Sequence, residues 1–326
     1  MMYQKIPKNE FDKLFHIRKD RDDNRIIPIC PALDDTGKFH MWAPGNGKVI
    51  EYKGEPVEQT YFAKEPHSEC DFCFKFLNCM YQRATSWDIM RLLDAIGNDI
   101  YNLSTCLAKI ELYHKVRNDK DIEIHRFVET EVEYIFAVCR SLYDLLQKIA
   151  RNLWRNSKSF KHSKKELNYS FAKMVLKGEN LLTKEELQQN YALTPIFAEF
   201  YVKEAPFFKM LRDYRNNIQH NGLSPDYIYK TENGFAVHAN SKPFSSFNVW
   251  DKNTFLPNNL APLNPILGYV IRSTLSAMND FVDIMKKENV LPDEIAPAYL
   301  LFMKGYYTDK LSKLSEMIHK NVWYSN

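Results

Sequence analysis

Two runs of apolar residues at helical spacing constrain this chain more than any other feature. After Thr85-Ser86-Trp87-Asp88, the residues Ile89, Leu92, Leu93, Ile96, Ile100, Leu103, Leu107 and Ile110 recur every three or four positions. A polar connection, Arg117-Asn118-Asp119-Lys120, follows. The pattern then resumes with Phe127, Val132, Ile135, Phe136, Val138, Cys139, Leu142, Leu145, Leu146, Ile149 and Leu153. Such spacing matches the helical turn rather than the two-residue repeat of a strand. The first run predicts a helix of roughly 30 residues. It starts at a hydroxyl cap followed by an early acid, and Gly97-Asn98 marks a point where it could break. The second predicts a helix from Glu123 to Asn156. Two such helices joined by a short polar link pack antiparallel.

The remainder extends the helical theme. Thr183-Lys184-Glu185-Glu186 is a capping-box signature for a short helix. Thr194 to His220 reads as helical with a bend at Pro206, and Phe207, Phe208, Met210, Leu211, Tyr214 and Ile218 face inward by spacing. Further helices are expected over 265–287 and 292–320. Between them, Tyr227–Glu232, Asn233-Gly234 and Phe235–His238 form a β-hairpin signal, followed by a linker over 241–265 rich in Pro, Ser and Asn. Only 10 glycines accompany 19 Tyr and 21 Phe, a balance that suits long helices better than a many-turned sandwich. Residues 1–80 differ. Six prolines, turn signals at Asp34–Gly37 and Pro44–Gly47, and alternating pieces such as Lys48–Tyr52 predict an irregular, partly β appendage. The expectation is a mainly α protein: an antiparallel helical bundle over 81–326, with a hairpin inserted near 227–240.

With 45% apolar and 26% charged residues the composition is that of a soluble globular protein. A net charge of +3 decides nothing about partners, so local clusters must. No apolar run is long enough for a membrane span, and the opening Met1–Pro7 has no signal-peptide core. The six cysteines are too sparse for a disulfide framework in a chain of this length. Together these point to a cytoplasmic protein with reduced thiols. Phosphate-binding glycine loops, nucleophile elbows and paired zinc-binding histidines are all absent, which argues against nucleotide hydrolysis, serine hydrolases and zinc proteases.

The polar groups concentrate in Leu211-Arg212-Asp213-Tyr214-Arg215-Asn216-Asn217-Ile218-Gln219-His220-Asn221-Gly222, read as the last turns of a helix that Gly222 would stop. At about 100° per residue, Asn216 and His220 share a face, and a long arginine side chain at 215 can bridge the remaining offset. A histidine in a last helical turn favours its protonated form, because the helix dipole is negative there. A guanidinium beside a protonatable imidazole suits a phosphodiester. The same residues also suit a plain helix end whose basic and amide groups cap its carbonyls, and on spacing alone that reading is the simpler one.

Arg215-Asn216-Asn217-Ile218-Gln219-His220 resembles the signature of the HEPN superfamily, an arginine followed after four to six residues by a histidine, and Asn221-Gly222 is typical of what comes next. The resemblance covers residues 85 to 320 in expected architecture and six to eight residues in motif. It implies a metal-independent, cofactor-free endoribonuclease whose two motifs meet across a homodimer. Arg215 would hold the scissile phosphate, His220 would move a proton, and Asn216 would orient the pair. Attack by the RNA 2′-hydroxyl would leave a 2′,3′-cyclic phosphate. Arg212 and Asn217 would support substrate binding. The superfamily is frequent in toxin and antiviral defence systems, which implies an antitoxin or regulatory partner. Many of its members are non-catalytic RNA-binding or interaction modules, and that is the alternative.

Two further clusters stand out. Lys148, Arg151, Arg155, Lys158, Lys161, Lys164 and Lys165 contain no acid among them and are interleaved with Trp154, Phe160 and His162. They read either as an RNA-contacting surface or as a solvated helix end matched to its dipole. His67-Ser68-Glu69-Cys70-Asp71-Phe72-Cys73, with Cys79 beyond, has a lone Cys-x2-Cys. Buried free thiols are the expectation there, rather than zinc.

Overall fold

The computed structural model describes residues 4–5, 30–45, 48–83, 86–118, 123–156, 165–221, 228–242 and 244–319. In chain order come strands β1 (Gln4–Lys5), β2 (Ala32–Leu33), β3 (Phe39–Gly45), β4 (Lys48–Lys53) and β5 (Gln59–Ala63), then helix α1 (Lys75–Tyr81). The two long helices follow, α2 (Trp87–Lys115) and α3 (Ile124–Asn156). Next are α4 (Phe171–Val175), the two-residue strands β6 (Leu176–Lys177) and β7 (Asn180–Leu181), α5 (Lys184–Tyr191) and α6 (Pro195–Asn221). The hairpin strands β8 (Tyr229–Lys230) and β9 (Phe235–His238) lead to β10 (Leu260–Pro262) and α7 (Asn264–Lys287). The described chain closes with β11 (Leu300–Lys304), α8 (Asp309–Ser312) and α9 (Leu314–His319).

The apolar stripes form the helices their spacing predicts. In α2, Ile89, Leu93, Ile96, Ile100, Leu103, Leu107 and Ile110 are all buried, and the helix runs unbroken through Gly97. It lies antiparallel on α3: Lys109 Nζ meets Glu131 Oε1 at 3.0 Å, and Tyr113 packs on Phe127. Helix α5 carries the expected capping box. Thr183 Oγ1 accepts from the Glu186 backbone N–H, and the Glu186 carboxylate accepts from that of Thr183. Such a cap stabilises a helix by about 0.5–2 kcal/mol. Helix α6 continues through Pro206, which removes one backbone donor without ending it. At Gly268 on α7 a Cβ would lie 2.9 Å from Met317 Cβ and 3.1 Å from the Leu314 carbonyl oxygen, so the bare backbone is what lets α9 settle there.

Two expectations are corrected. The segment 292–320 is not one helix. Leu300–Lys304 is a strand, paired antiparallel with β5 from Leu300↔Ala63 to Lys304↔Gln59. A short continuous apolar run fits a buried strand as well as a helix, and here both faces are covered. Phe302 stacks on Tyr61, while Leu301 and Met303 enter the main core. Among the described residues, the strands of the expected appendage also share a six-stranded sheet with β11, ordered β1-β4-β3-β2-β5-β11, so its last strand comes from the far end of the chain. Gln82 donates to the Ala296 and Tyr299 carbonyls, and Leu301 N–H donates to Asn78. One hydrophobic core runs from Trp42 and Phe62 in the sheet through α1 to Phe136 and Tyr214 in the bundle. The molecule is mainly helical, with the sheet built onto the bundle rather than hung from it.

A hairpin forms here, but in the register Lys230↔Phe235 its turn centres on Glu232-Asn233 rather than on Asn233-Gly234, with Thr231 N–H donating to the Gly234 carbonyl at 2.9 Å, and β10 joins it as a third strand. Tyr227 lies outside the described residues. The hairpin packs against the end of α2, where Lys230 Nζ donates to the Arg117 carbonyl at 2.7 Å. Phe235 also meets the His114 ring edge-on.

Candidate functional site at the end of helix α6

Helix α6 packs on α3 through aromatic residues up to Tyr214. Phe208 meets Tyr143 at 5.6 Å between ring centroids, and Tyr214 stacks on Phe136 at 3.9 Å. Advancing six residues along α6 retreats seven along α3, so the helices are antiparallel and α6 ends beside the start of α3. Leu211 and Tyr214 are buried, as their spacing predicts. Arg215 and Asn216 follow and are half-buried. Asn217 and His220 belong to the helical backbone, but their side chains, and all of Gly222, lie outside the described residues.

Tyr214 is 2% exposed, yet its hydroxyl has no hydrogen-bond partner among the described residues. Burial, and after it the charges of Glu133 and Glu129 on α3, push this phenol well above its ordinary range. Glu133 is itself raised, by burial first and then by Glu129 one turn away, with Arg126 opposing. Glu129 is buried and accepts from Arg126 Nη1 at 3.1 Å. Arg215 makes no ion pair among the described residues. The start of the motif thus combines an uncommitted guanidinium, an amide, an unpartnered phenol and a carboxyl that holds its proton more tightly than usual. From the sequence, Glu129 and Glu133 are charges of the long upstream helix, and neither they nor the Tyr214 hydroxyl are assigned to the site. The available signal was the pair of like charges four apart on a helix, which repel unless something else holds them.

Arg212 points elsewhere. Its Nη2 lies 3.1 Å from Glu179 Oε1 and its Nη1 3.4 Å from Glu179 Oε2, at the β6–β7 turn. Lys209 is shared between Asp213 and Glu179. This guanidinium is already matched to a carboxylate fork.

The basic end of α3 is also occupied. Arg151 Nε donates to the Leu167 carbonyl at 2.9 Å, its Nη2 meets Glu166, and its guanidinium lies 3.6 Å from the Tyr169 ring centroid. Arg155 lies 4.0 Å from the same Glu166. Lys148 is exposed, and Lys158 and Lys161 lie outside the described residues. Trp154 is buried against Phe197, with its indole N–H donating to the Lys165 carbonyl. The acid that answers these arginines stands one residue past the acid-free run.

At the third cluster, Cys79 is buried on α1 while Cys70 and Cys73 are exposed, so burial of all three thiols is not what the fold provides. His67 turns toward Lys304 and Glu55 instead. Among the described residues no three His, Cys, Asp or Glu side chains gather as a metal site. Nor is any described helix long and apolar enough to cross a membrane. Comparison of the chain with models of known families, with characterised proteins and with solved structures finds no match.

Proposed function

We propose that this protein is a metal-independent endoribonuclease of the HEPN type, acting through Arg215, Asn216 and His220. One observation carries the reading: Arg215 and Asn216 follow a turn locked by the Tyr214–Phe136 stack, and Arg215 has no acid partner among the described residues. Arg215 holds the scissile phosphate and gathers the charge that develops on its oxygens. His220 moves the proton, and Asn216 orients the pair. The nucleophile is the adjacent RNA 2′-hydroxyl. Its oxygen bonds to phosphorus, its proton leaves through the base, and the 5′-oxygen departs protonated, leaving a 2′,3′-cyclic phosphate. Because the substrate brings its own nucleophile, the protein supplies position, charge and a proton path. Two copies form a composite groove, and an antitoxin or regulatory protein restrains it in the cytoplasm, as part of a toxin or antiviral defence system.

Purified protein should cleave single-stranded RNA in EDTA and leave cyclic phosphate ends. Arg215→Ala or His220→Ala should lower the rate about 10²–10³-fold. Cleavage unchanged in both variants would remove the assignment. A second reading, a non-catalytic RNA-binding or interaction module, is favoured by the engagement of Arg151, Arg155 and Arg212 with acids. Salt-dependent RNA binding without turnover in the wild type would decide for it.

A further inference from the structure

A separate cleft of about 430 Å³ opens between the exposed side of α7 and the segment 248–251. Tyr269, Arg272, Ser273 and Ser276 stand at i, i+3, i+4 and i+7 on α7 and line one wall, while Asn248 and Asp251 line the other. Its shape is held by the fold. Trp250 Nε1 donates to the Pro262 carbonyl at 2.9 Å, and Thr254 donates twice to the Asp251 carbonyl. Val249 and Trp250 also pack on the main core. Arg272 makes no ion pair among the described residues, unlike Arg212 and Arg151.

The lining chemistry is selective. A guanidinium with two hydroxyls and an amide matches the oxygens of a phosphate ester. Asp251 across the cleft would repel a bare anion but accepts hydrogen bonds from a sugar hydroxyl or a base N–H. A ligand with phosphate at one end and donors at the other satisfies both walls, and the volume suits one such unit. We infer that this cleft binds a nucleotide unit, its phosphate on Arg272, Ser273 and Ser276 and its donors on Asp251.

The cleft is also tied to the end of α6. Tyr214 stacks on Phe136 at 3.9 Å, Phe136 meets Phe247 at 6.2 Å, and Phe247 meets Tyr269 at 5.9 Å. The rings of Tyr214 and Tyr269 are therefore no further apart than three ring contacts. One source of such a nucleotide unit is an RNA strand engaged at Arg215. That source of the nucleotide rests on the function proposed above, whereas a free nucleotide does not.

The test is calorimetric titration of the full chain with nucleoside 5′-monophosphates and, separately, with a short 2′-O-methyl oligouridylate, which lacks the attacking hydroxyl and cannot be cleaved. It compares wild type with Arg272→Glu, Arg272→Gln, Asp251→Asn and Arg215→Ala. Arg272 is exposed in mid-helix, and unchanged thermal melting checks that each variant is folded. Arg272→Glu should weaken binding about tenfold or more, with Arg272→Gln intermediate and Asp251→Asn also weaker. Loss of mononucleotide binding identifies a free nucleotide as ligand, and loss confined to the oligouridylate identifies the strand. Wild-type protein that binds neither probe, or binding indifferent to Arg272, overturns the proposal. In the Arg215→Ala background, Arg272→Glu should still weaken mononucleotide binding, which separates the cleft from the phosphate site proposed at Arg215. If Arg215 and His220 prove irrelevant to RNA while Arg272 governs nucleotide binding, the cleft stands and the ribonuclease reading falls.

Discussion

At the end of α3, Arg151 donates to the Leu167 carbonyl and to Glu166 and lies over the face of Tyr169. At the end of α6, Arg215 follows a tyrosine that anchors the helix and has no acid partner among the described residues. Both stretches look alike in sequence, as arginines among aromatics and amides near a helix C-terminus, where cations are favoured by the dipole. The difference lies in what the rest of the fold brings to them. Glu166 sits just past the acid-free run, and Glu179 arrives from a hairpin 33 residues before Arg212. Density of positive charge is therefore a poor guide to its availability. An arginine enclosed by a carboxylate, a carbonyl and a ring is part of the scaffold, and one left unanswered beside a locked turn is free to meet a ligand.

The largest expected effect separates the two ends directly. Arg215→Ala should reduce RNA cleavage by about 10²–10³ and leave the melting temperature nearly unchanged. Arg151→Ala should do the reverse. It keeps turnover within a few-fold and lowers stability by about 1–3 kcal/mol, from a lost charged hydrogen bond, an exposed carbonyl and a lost cation–π contact. Parallel cleavage assays and urea melts of both variants read this out. If Arg151→Ala abolished cleavage while keeping full stability, the comparison would invert.

How much of this could be read beforehand follows from the range of the forces involved. The stripes of α2 and α3 and the Thr183 capping box are local, set by residues within a turn or two, and they were legible, whereas the hairpin was legible in its place but not in its turn, which centres one residue earlier than Asn233-Gly234. The strand Leu300–Lys304 was not, because a five-residue apolar run becomes a strand only if a partner waits for it, and β5 lies over two hundred positions away. For the same reason residues 1–80 read as an appendage, when β5 pairs with β11 and Asn78 accepts from Leu301 N–H in the chain's last quarter. At the site, Arg215 and Asn216 were named from a short pattern. The setting of Tyr214, Glu129 and Glu133 depends on α3 lying antiparallel to α6, which no spacing within α6 reports.

A smaller effect tests whether the Tyr214 hydroxyl serves the site or merely survives there. A buried hydroxyl without a partner costs about 1–3 kcal/mol of desolvation. Tyr214→Phe should accordingly keep the stack on Phe136 and hold stability level or raise it by about 1 kcal/mol. A loss of stability would mean that the hydroxyl is satisfied after all. Raised stability together with slower cleavage would place the hydroxyl among the groups that contact substrate.

The smallest effect concerns Glu133 and is a matter of pH. Burial and the neighbouring Glu129 raise its carboxyl above the ordinary value of 4.5, so in the folded protein it holds its proton to higher pH than in the unfolded chain. Between those two values the folded state binds more protons, and stability falls as pH rises through the window. Below 4.5 the group is protonated in both states and contributes no such loss. Glu133→Gln removes the titration while keeping the shape. The melting temperature of the variant relative to wild type should therefore rise across the window and then level off once the folded Glu133 is ionised. A difference of opposite sign would mean that Glu133 is stabilised as an anion, held by a cation at this end of the bundle. Arg215 would then be the first residue to examine, and the contrast between an engaged and an unengaged arginine would narrow to one of degree.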